Sequence, residues 1–372
     1  MLSQAVSLSS QPSLPSLPSL GPRDQNVNPA LHQCLASLRA HSSSYVSSLA
    51  VDGDSLYIAS SDGRIRAWPL DAAASRNQDA AATVVAACDS SVKCLLAAGD
   101  GLLLSSHQDG KIRAWRANAG GSSPPRLALR LRAVLPTCAD RLRAFLAPWS
   151  YVQAWRLPGF RCAESVAAAH DDAVNAVAVS PDGHVYTGSA DKKIKAWRRE
   201  REHHPGARRR RRRTEKHVLV QTMERHRSAV NALALGLDGN VLYSGACDRS
   251  VVVWERAGGG EGRMEATGTL RGHKKAILCL AAAGDVVCSG SADRTVRVWR
   301  RGAGSAGYTC LAVLEGHGAP VKSMALVYGR DGSSSGGGGG GGGSAALVCS
   351  GALDGEVKIW SVLVPCLLER EQ

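Results

Sequence analysis

An aspartate stands six residues before a tryptophan six times in this chain: Asp62/Trp68, Asp109/Trp115, Asp191/Trp197, Asp248/Trp254, Asp293/Trp299 and Asp354/Trp360. Trp155 ends a seventh, worn copy, so seven of the eight tryptophans share one register. Trp68 and Trp360 lie 292 residues apart over six intervals, a mean near 49. One copy, residues 272–299, shows what repeats. A Gly-His pair opens it, and an apolar run over 276–283 follows. The Gly284-Asp285 turn leads to a β-rich run, then to a tight polar turn at Asp293 and a third β-rich run ending at Trp299. Units of this period, built from short strands and tight turns, predict a β-propeller in which each small sheet buries its faces against its neighbours.

The repeated Asp, His and Trp at fixed offsets resemble the WD40 family over residues 31–360. The expected fold is all-β, a seven-bladed propeller over 30–362. Residues 1–29 read as a disordered Ser/Pro/Leu-rich leader, and 363–372 as a tail. Residues 31–41, LHQCLASLRAH, align with 308–317, YTCLAVLEGH. They precede the first blade, so they are expected to join the last one beyond Trp360 and close the ring, removing an exposed sheet edge. Val362 onward competes for that place, but Pro365 interrupts it and lacks a ladder N–H.

The units run from Ser42, Ser90, about Leu131, His170, His226, Gly272 and Gly316 to their tryptophans. Unit three lacks the Gly-His pair and carries Trp149 where Asp is expected, which leaves a count of six blades open. Two long insertions, 198–217 and 329–344, read as disordered. By the family's strand order both fall on one face, with the Gly-rich and Ser/Pro-rich connections. The opposite face keeps short, Asp-turned loops and is expected to be the docking surface. Its candidate contacts are Asp171, Asp172, Arg227, Lys274 and Lys275, which follow the repeat histidines.

Four sets of polar residues recur: His170/Thr187/Asp191/Trp197, His226/Ser244/Asp248/Trp254, His273/Ser289/Asp293/Trp299 and His317/Ser350/Asp354/Trp360. Alone, any His/Ser/Asp set could pass for a hydrolase triad. Fourfold repetition at one offset from a Trp argues for structure instead, and no enzyme activity is expected. The resemblance implies a chain of bonds in which Asp accepts from His, His bonds the hydroxyl and the hydroxyl bonds the indole N–H. Units one and two break the pattern with Ile58 in the hydroxyl position and Cys88 in the His position.

The net charge of +13 is concentrated: residues 198–217 hold ten Lys/Arg and three Glu, leaving +6 for the rest. Six adjacent arginines, Arg208, Arg209, Arg210, Arg211, Arg212 and Arg213, cannot pack and must be solvated. They suggest an import signal or a phosphate contact, with nucleic-acid association through 198–217 as the alternative function. In the leader, Pro12, Pro15 and Pro18 fall on one edge of a polyproline II helix and could dock in a partner's groove, while Leu14, Leu17 and Leu20 fall on another. Eleven cysteines show no zinc spacing, so neither metal nor cofactor is expected. Cys94, Cys279, Cys288 and Cys349 read as buried strand residues. No apolar run is long enough for a membrane span and no signal peptide opens the chain, so a cytoplasmic or nuclear protein is expected. The proline-leucine leader, the strand LHQCLASLRAH and the phrase VSSLAVDGDSLYIASSDGRIRAW resemble plant WD40 proteins of the Jingubang type. That resemblance implies a regulatory adaptor that binds proteins.

Overall fold

The computed structural model is all-β. The structure describes residues 17, 19, 32–39, 44–70, 82–117, 128–135, 152–156, 161–166, 168–201, 215–236, 239–258, 263–302, 307–328 and 344–365. The arginine run and Pro12, Pro15 and Pro18 lie outside them. Among the described residues no helix is long and apolar enough to cross a membrane.

The chain enters through β1 (His32–Arg39). Unit one supplies β2 (Val46–Asp52), β3 (Ser55–Ser60), β4 (Arg64–Pro69) and β5 (Thr83–Ala87). Unit two supplies β6 (Val92–Ala97), β7 (Leu102–His107), β8 (Ile112–Ala117) and β9 (Leu129–Leu135). Of unit three the described residues show β10 (Val152–Arg156) and β11 (Arg161–Val166). Unit four follows with β12 (Val174–Val179), β13 (Val185–Ser189), β14 (Lys193–Arg201) and β15 (Glu215–Glu224). Unit five has β16 (Val230–Leu235), β17 (Val241–Ala246), β18 (Val251–Arg256) and β19 (Met264–Leu270). Unit six has β20 (Ile277–Ala283), β21 (Val286–Ser291), β22 (Val296–Arg301) and β23 (Tyr308–Leu314). Unit seven ends with β24 (Val321–Tyr328), β25 (Ser344–Ala352) and β26 (Glu356–Val364).

Six of these units form four-stranded antiparallel sheets, and unit three forms a two-stranded sheet. The described residues therefore form six four-stranded blades, which corrects the count of seven expected from the tryptophans. Chain length explains the loss. From the last residue of one outer strand to the next terminal Trp takes 28 to 31 residues in units one, two, four, five and six. From Leu135 to Trp155 it takes 20, short by about one strand and its turn. Leu131, read as the start of unit three, belongs instead to β9, opposite Trp115 in unit two.

The first strand of each blade packs on its neighbours in the order β12, β16, β20, β24, β2, β6. Between β6 and β12 the described residues offer only β10 and β11. The consequence shows at matched positions. Leu95 on β6 and Val177 on β12 each pair with the hydroxyl residue of the next strand. Leu95, packed on unit one, is 5% exposed, whereas Val177 is 52% exposed and Val179 is 62% exposed. A cavity of about 150 Å³ lies there, lined by Val152, Val166, Val177, Val179 and Trp197 among others. His217 on β15 ties β11 in, giving both its backbone N–H and its ring to the Glu164 carboxylate.

β1 pairs antiparallel with β26 and completes the last blade, so both ends of the chain share one sheet. Val362 to Val364 extend β26 and make no separate strand. The Gly-rich connection leaves between β24 and β25, and the basic one between β14 and β15. Those last strands run into the insertion: Arg198 to Arg201 pair with residues 215–218. Of the leader, Leu17 packs against the core cluster that includes Met264 and Trp254, and Ser19 bridges Thr269 on β19. Cys279, Cys288 and Cys349 are buried, and burial pushes the Cys279 and Cys349 thiols up to about 12. Cys94, expected inside, is exposed.

In units four to seven the next blade approaches closely because glycine follows the hydroxyl residue. A Cβ on Gly245 would lie 2.5 Å from Ile277 Cγ2 of the next blade, and one on Gly351 would lie 2.5 Å from Val46 Cγ1 across the seam. Polar groups stitch the same contact: the Asn231 amide donates to the Ile277 carbonyl at 2.8 Å.

Candidate functional site

The six blade tryptophans are between 1% and 7% exposed, so each indole N–H needs an acceptor inside the protein. In units four to seven it donates to the strand hydroxyl, Thr187, Ser244, Ser289 or Ser350, at 2.8–3.1 Å. The histidine Nε2 meets the same oxygen at 2.7–2.9 Å. In units four to six the chain continues: His170, His226 and His273 place Nδ1 2.8–3.0 Å from Asp191, Asp248 and Asp293. Burial alone would raise the Asp248 and Asp293 carboxyls, but the bonds from His226 and His273 hold both well below the usual range. In unit seven Asp354 instead takes the backbone N–H groups of Gly318 and Glu356, and His317 Nδ1 has no partner.

Units one and two satisfy the turn Asp by a route the pattern did not disclose. Asp62 takes the Arg66 guanidinium at 2.8 Å, and Asp109 takes Arg113 at 2.8 Å. The Arg113 bond brings Asp109 down to about 2. His107 fills the place left by Cys88: its Nε2 meets Ser105 Oγ at 2.7 Å, and Trp115 donates to that same oxygen. A signal existed in the sequence, because the position four after the turn Asp is Arg or Lys in five of the six blades. The repetition of these sets supplies a network for packing indoles between sheets.

The turn Asp also organises the rim. Besides its histidine it accepts the backbone N–H of the residue that follows: Asp171 to Asp191, Arg227 to Asp248 and Lys274 to Asp293, at 2.8–3.1 Å. This pins the main chain and leaves the side chains outside. Asp171, Asp172, Arg227, Lys274 and Lys275 are all exposed. Asp171 is partly neutralised by Lys193 at 3.1 Å. The residue after the turn Asp adopts positive φ in every blade. It is Gly63, Gly110 and Gly355 in units one, two and seven, but Lys192, Arg249 and Arg294 in units four to six, at φ 70–72°. These three cations, exposed on the same rim, were not among the expected contacts.

The family model described as WD domain, G-beta repeat matches residues 32–69, 163–198, 217–255, 264–300 and 308–361. Its gap contains units two and three, where the histidine is displaced or absent. No curated protein matches the chain. Among solved structures, the crystal structure of the WD40 β-propeller domain of Doa1 is similar at a TM-score of 0.60 and 20% identity, covering 88% of this chain and 96% of that one. At that identity the likeness concerns the fold. With family matches over more than half its length and the propeller they imply, the chain belongs to the WD40 repeat family.

Proposed function

We propose that the chain is a non-catalytic scaffold whose short-loop rim, over units four to six, captures an acidic segment of a partner protein. WD40 propellers generally bind protein partners. The observation that carries the finer reading is the set Lys192, Arg249 and Arg294. A left-handed backbone costs a side-chain-bearing residue about 1 kcal/mol relative to glycine. Three neighbouring blades bear that cost with a cation each time, while three others use glycine. With Arg227, Lys274 and Lys275 they form a basic arc, interrupted in unit four by the exposed Asp171 and Asp172. The regulatory setting rests on the resemblance of the leader and first unit to Jingubang-type plant proteins, which suits a cytoplasmic or nuclear adaptor.

The test is binding of a fluorescent Glu-rich peptide to the full-length protein. Lys274→Glu with Lys275→Glu should weaken it at least tenfold while melting stays within a degree or two. Unchanged binding would move the site elsewhere. Tighter binding of an RNA oligonucleotide of equal charge, lost on deleting 202–214, would favour the nucleic-acid alternative.

A further inference from the structure

We propose that His317, Asp354 and Glu356 form a divalent-cation site, suited to zinc, on the rim of unit seven. His317 Nδ1 and one oxygen of each carboxylate lie within 4.8 Å of one another. The histidine is the informative member. Its side chain is fully buried, yet Nδ1 has no hydrogen-bond partner, the one repeat histidine of units four to seven of which this is true. A buried polar atom left without a partner is costly, so it calls for a ligand.

The surroundings prepare that atom for a metal. His317 Nε2 lies 2.8 Å from Ser350 Oγ, which also accepts from Trp360 and faces the Lys358 carbonyl. With the Ser350 hydroxyl donating to that carbonyl, Nε2 carries the ring proton and Nδ1 presents a lone pair. Metal-bound histidines are held this way, by a bond from the other ring nitrogen. The carboxylates are oriented as well. Asp354 accepts from two backbone N–H groups, and Glu356 Oε1 is held by Ser37 at 2.6 Å and Lys358 at 3.0 Å. That leaves Glu356 Oε2 facing Nδ1 at 3.9 Å. Ligand atoms around zinc sit roughly 3.4 Å apart for bonds of about 2.0–2.2 Å, so closure needs small side-chain rotations.

Sequence separates this unit from its siblings at the same two places. Glu356 stands where units five and six have Ser250 and Thr295, which bond their own Asp. Gly318 stands where units four to six have Asp171, Arg227 and Lys274, so this position adds no side chain over the site, and the Arg294 guanidinium of unit six reaches the Gly318 carbonyl. Lys358 opposes binding through its charge, but it occupies the other oxygen. Ser37 belongs to β1, so an ion here would brace the seam between the two ends of the chain.

The experiment uses the full chain, stripped with a chelator and titrated with ZnCl₂ against a chromophoric competitor. One equivalent should bind, and Glu356→Gln should weaken it at least tenfold. Zinc should raise the melting temperature by a few degrees in the wild type and not in the variant. Glutamine keeps an acceptor for Ser37, so the variant should melt close to wild type without metal. If it does not fold, Asp354→Asn carries the same comparison. Cobalt separates this site from the cysteines, because thiolate ligation gives intense near-ultraviolet absorption and a His-carboxylate set does not. No zinc binding, equal affinity in both proteins, or a thiolate spectrum indifferent to Glu356→Gln would each overturn the proposal.

Discussion

Units two and five hold the terminal tryptophan alike and the turn aspartate differently. In both, a strand serine accepts the indole N–H at 2.8 Å. In unit five the histidine comes from the loop before the blade, so its second nitrogen reaches Asp248. In unit two His107 comes from the same strand as the serine, its second nitrogen meets the Ser90 carbonyl, and Asp109 turns to Arg113. Both units keep the hydroxyl-indole bond, because that pair is buried. The partner of the aspartate is open to substitution, because Asp sits at the rim, where either a ring N–H or a guanidinium can reach it.

The largest effects test what surrounds the indole. Trp254 packs against Tyr186 and Ala196 of a complete preceding blade. Trp197 borders the cavity beside β10 and β11. Trp254→Ala should therefore cost roughly 3–5 kcal/mol in urea unfolding, and Trp197→Ala clearly less, since less packing is lost. Equal losses would mean that unit three supports its neighbour as a whole blade does.

Next come the polar partners. Ser105→Ala and Ser244→Ala each leave a buried indole N–H and a histidine nitrogen unmatched, so each should cost about 1–3 kcal/mol. The aspartate partners should then diverge. His226→Ala removes a buried ring and should cost a similar amount, whereas Arg113→Ala breaks a more exposed pair worth at most about 1 kcal/mol. Matching losses at Arg113 and His226 would show the two solutions to be energetically equivalent.

What could be read from sequence follows the same division. The Asp-Trp spacing is legible because the turn and its strand recur with fixed length, and the His-hydroxyl pairs with it. The displaced His107 was hidden because it sits two residues before Asp109 on a strand, where other units carry Ser or Ala. The blade count failed at Trp155. A terminal tryptophan marks the third strand of a unit, and says nothing of whether enough chain precedes it for two more. The interval from Leu135 carried that information. The cations at positive φ were hidden because a turn that accepts glycine in three blades does not announce, from residue type alone, that Arg249 adopts the same backbone.

Acid separates the units further. A carboxyl with a depressed folded pKa contributes stability that is present above its unfolded value, near 4, and is lost as pH falls through the folded one. Asp248, Asp293 and Asp109 are all of this kind. The melting temperature should therefore fall steadily as pH drops below about 4. Asp248→Asn, already less stable at neutral pH, should fall less steeply over the same range. His317 acts in the same direction at higher pH, because its lowered pKa means that the unfolded chain takes up the proton first, from about pH 6.5 downward.

The smallest effect bears most directly on function. Gly110 at φ 72° and Arg249 at φ 70° occupy the same turn position in units two and five. Arg249→Gly relieves a left-handed side-chain residue but frees the unfolded chain, so the net gain should be about 0.5–1 kcal/mol, seen as a rise of a few degrees at most in melting. Gly110→Arg should lose a comparable amount. The rise in stability should come with weaker binding of the acidic peptide, since strain kept at an exposed cation has no structural return. Should Arg249→Gly destabilise the protein, the arginine would be supporting its own turn, and the basic arc would lose the observation that singled it out.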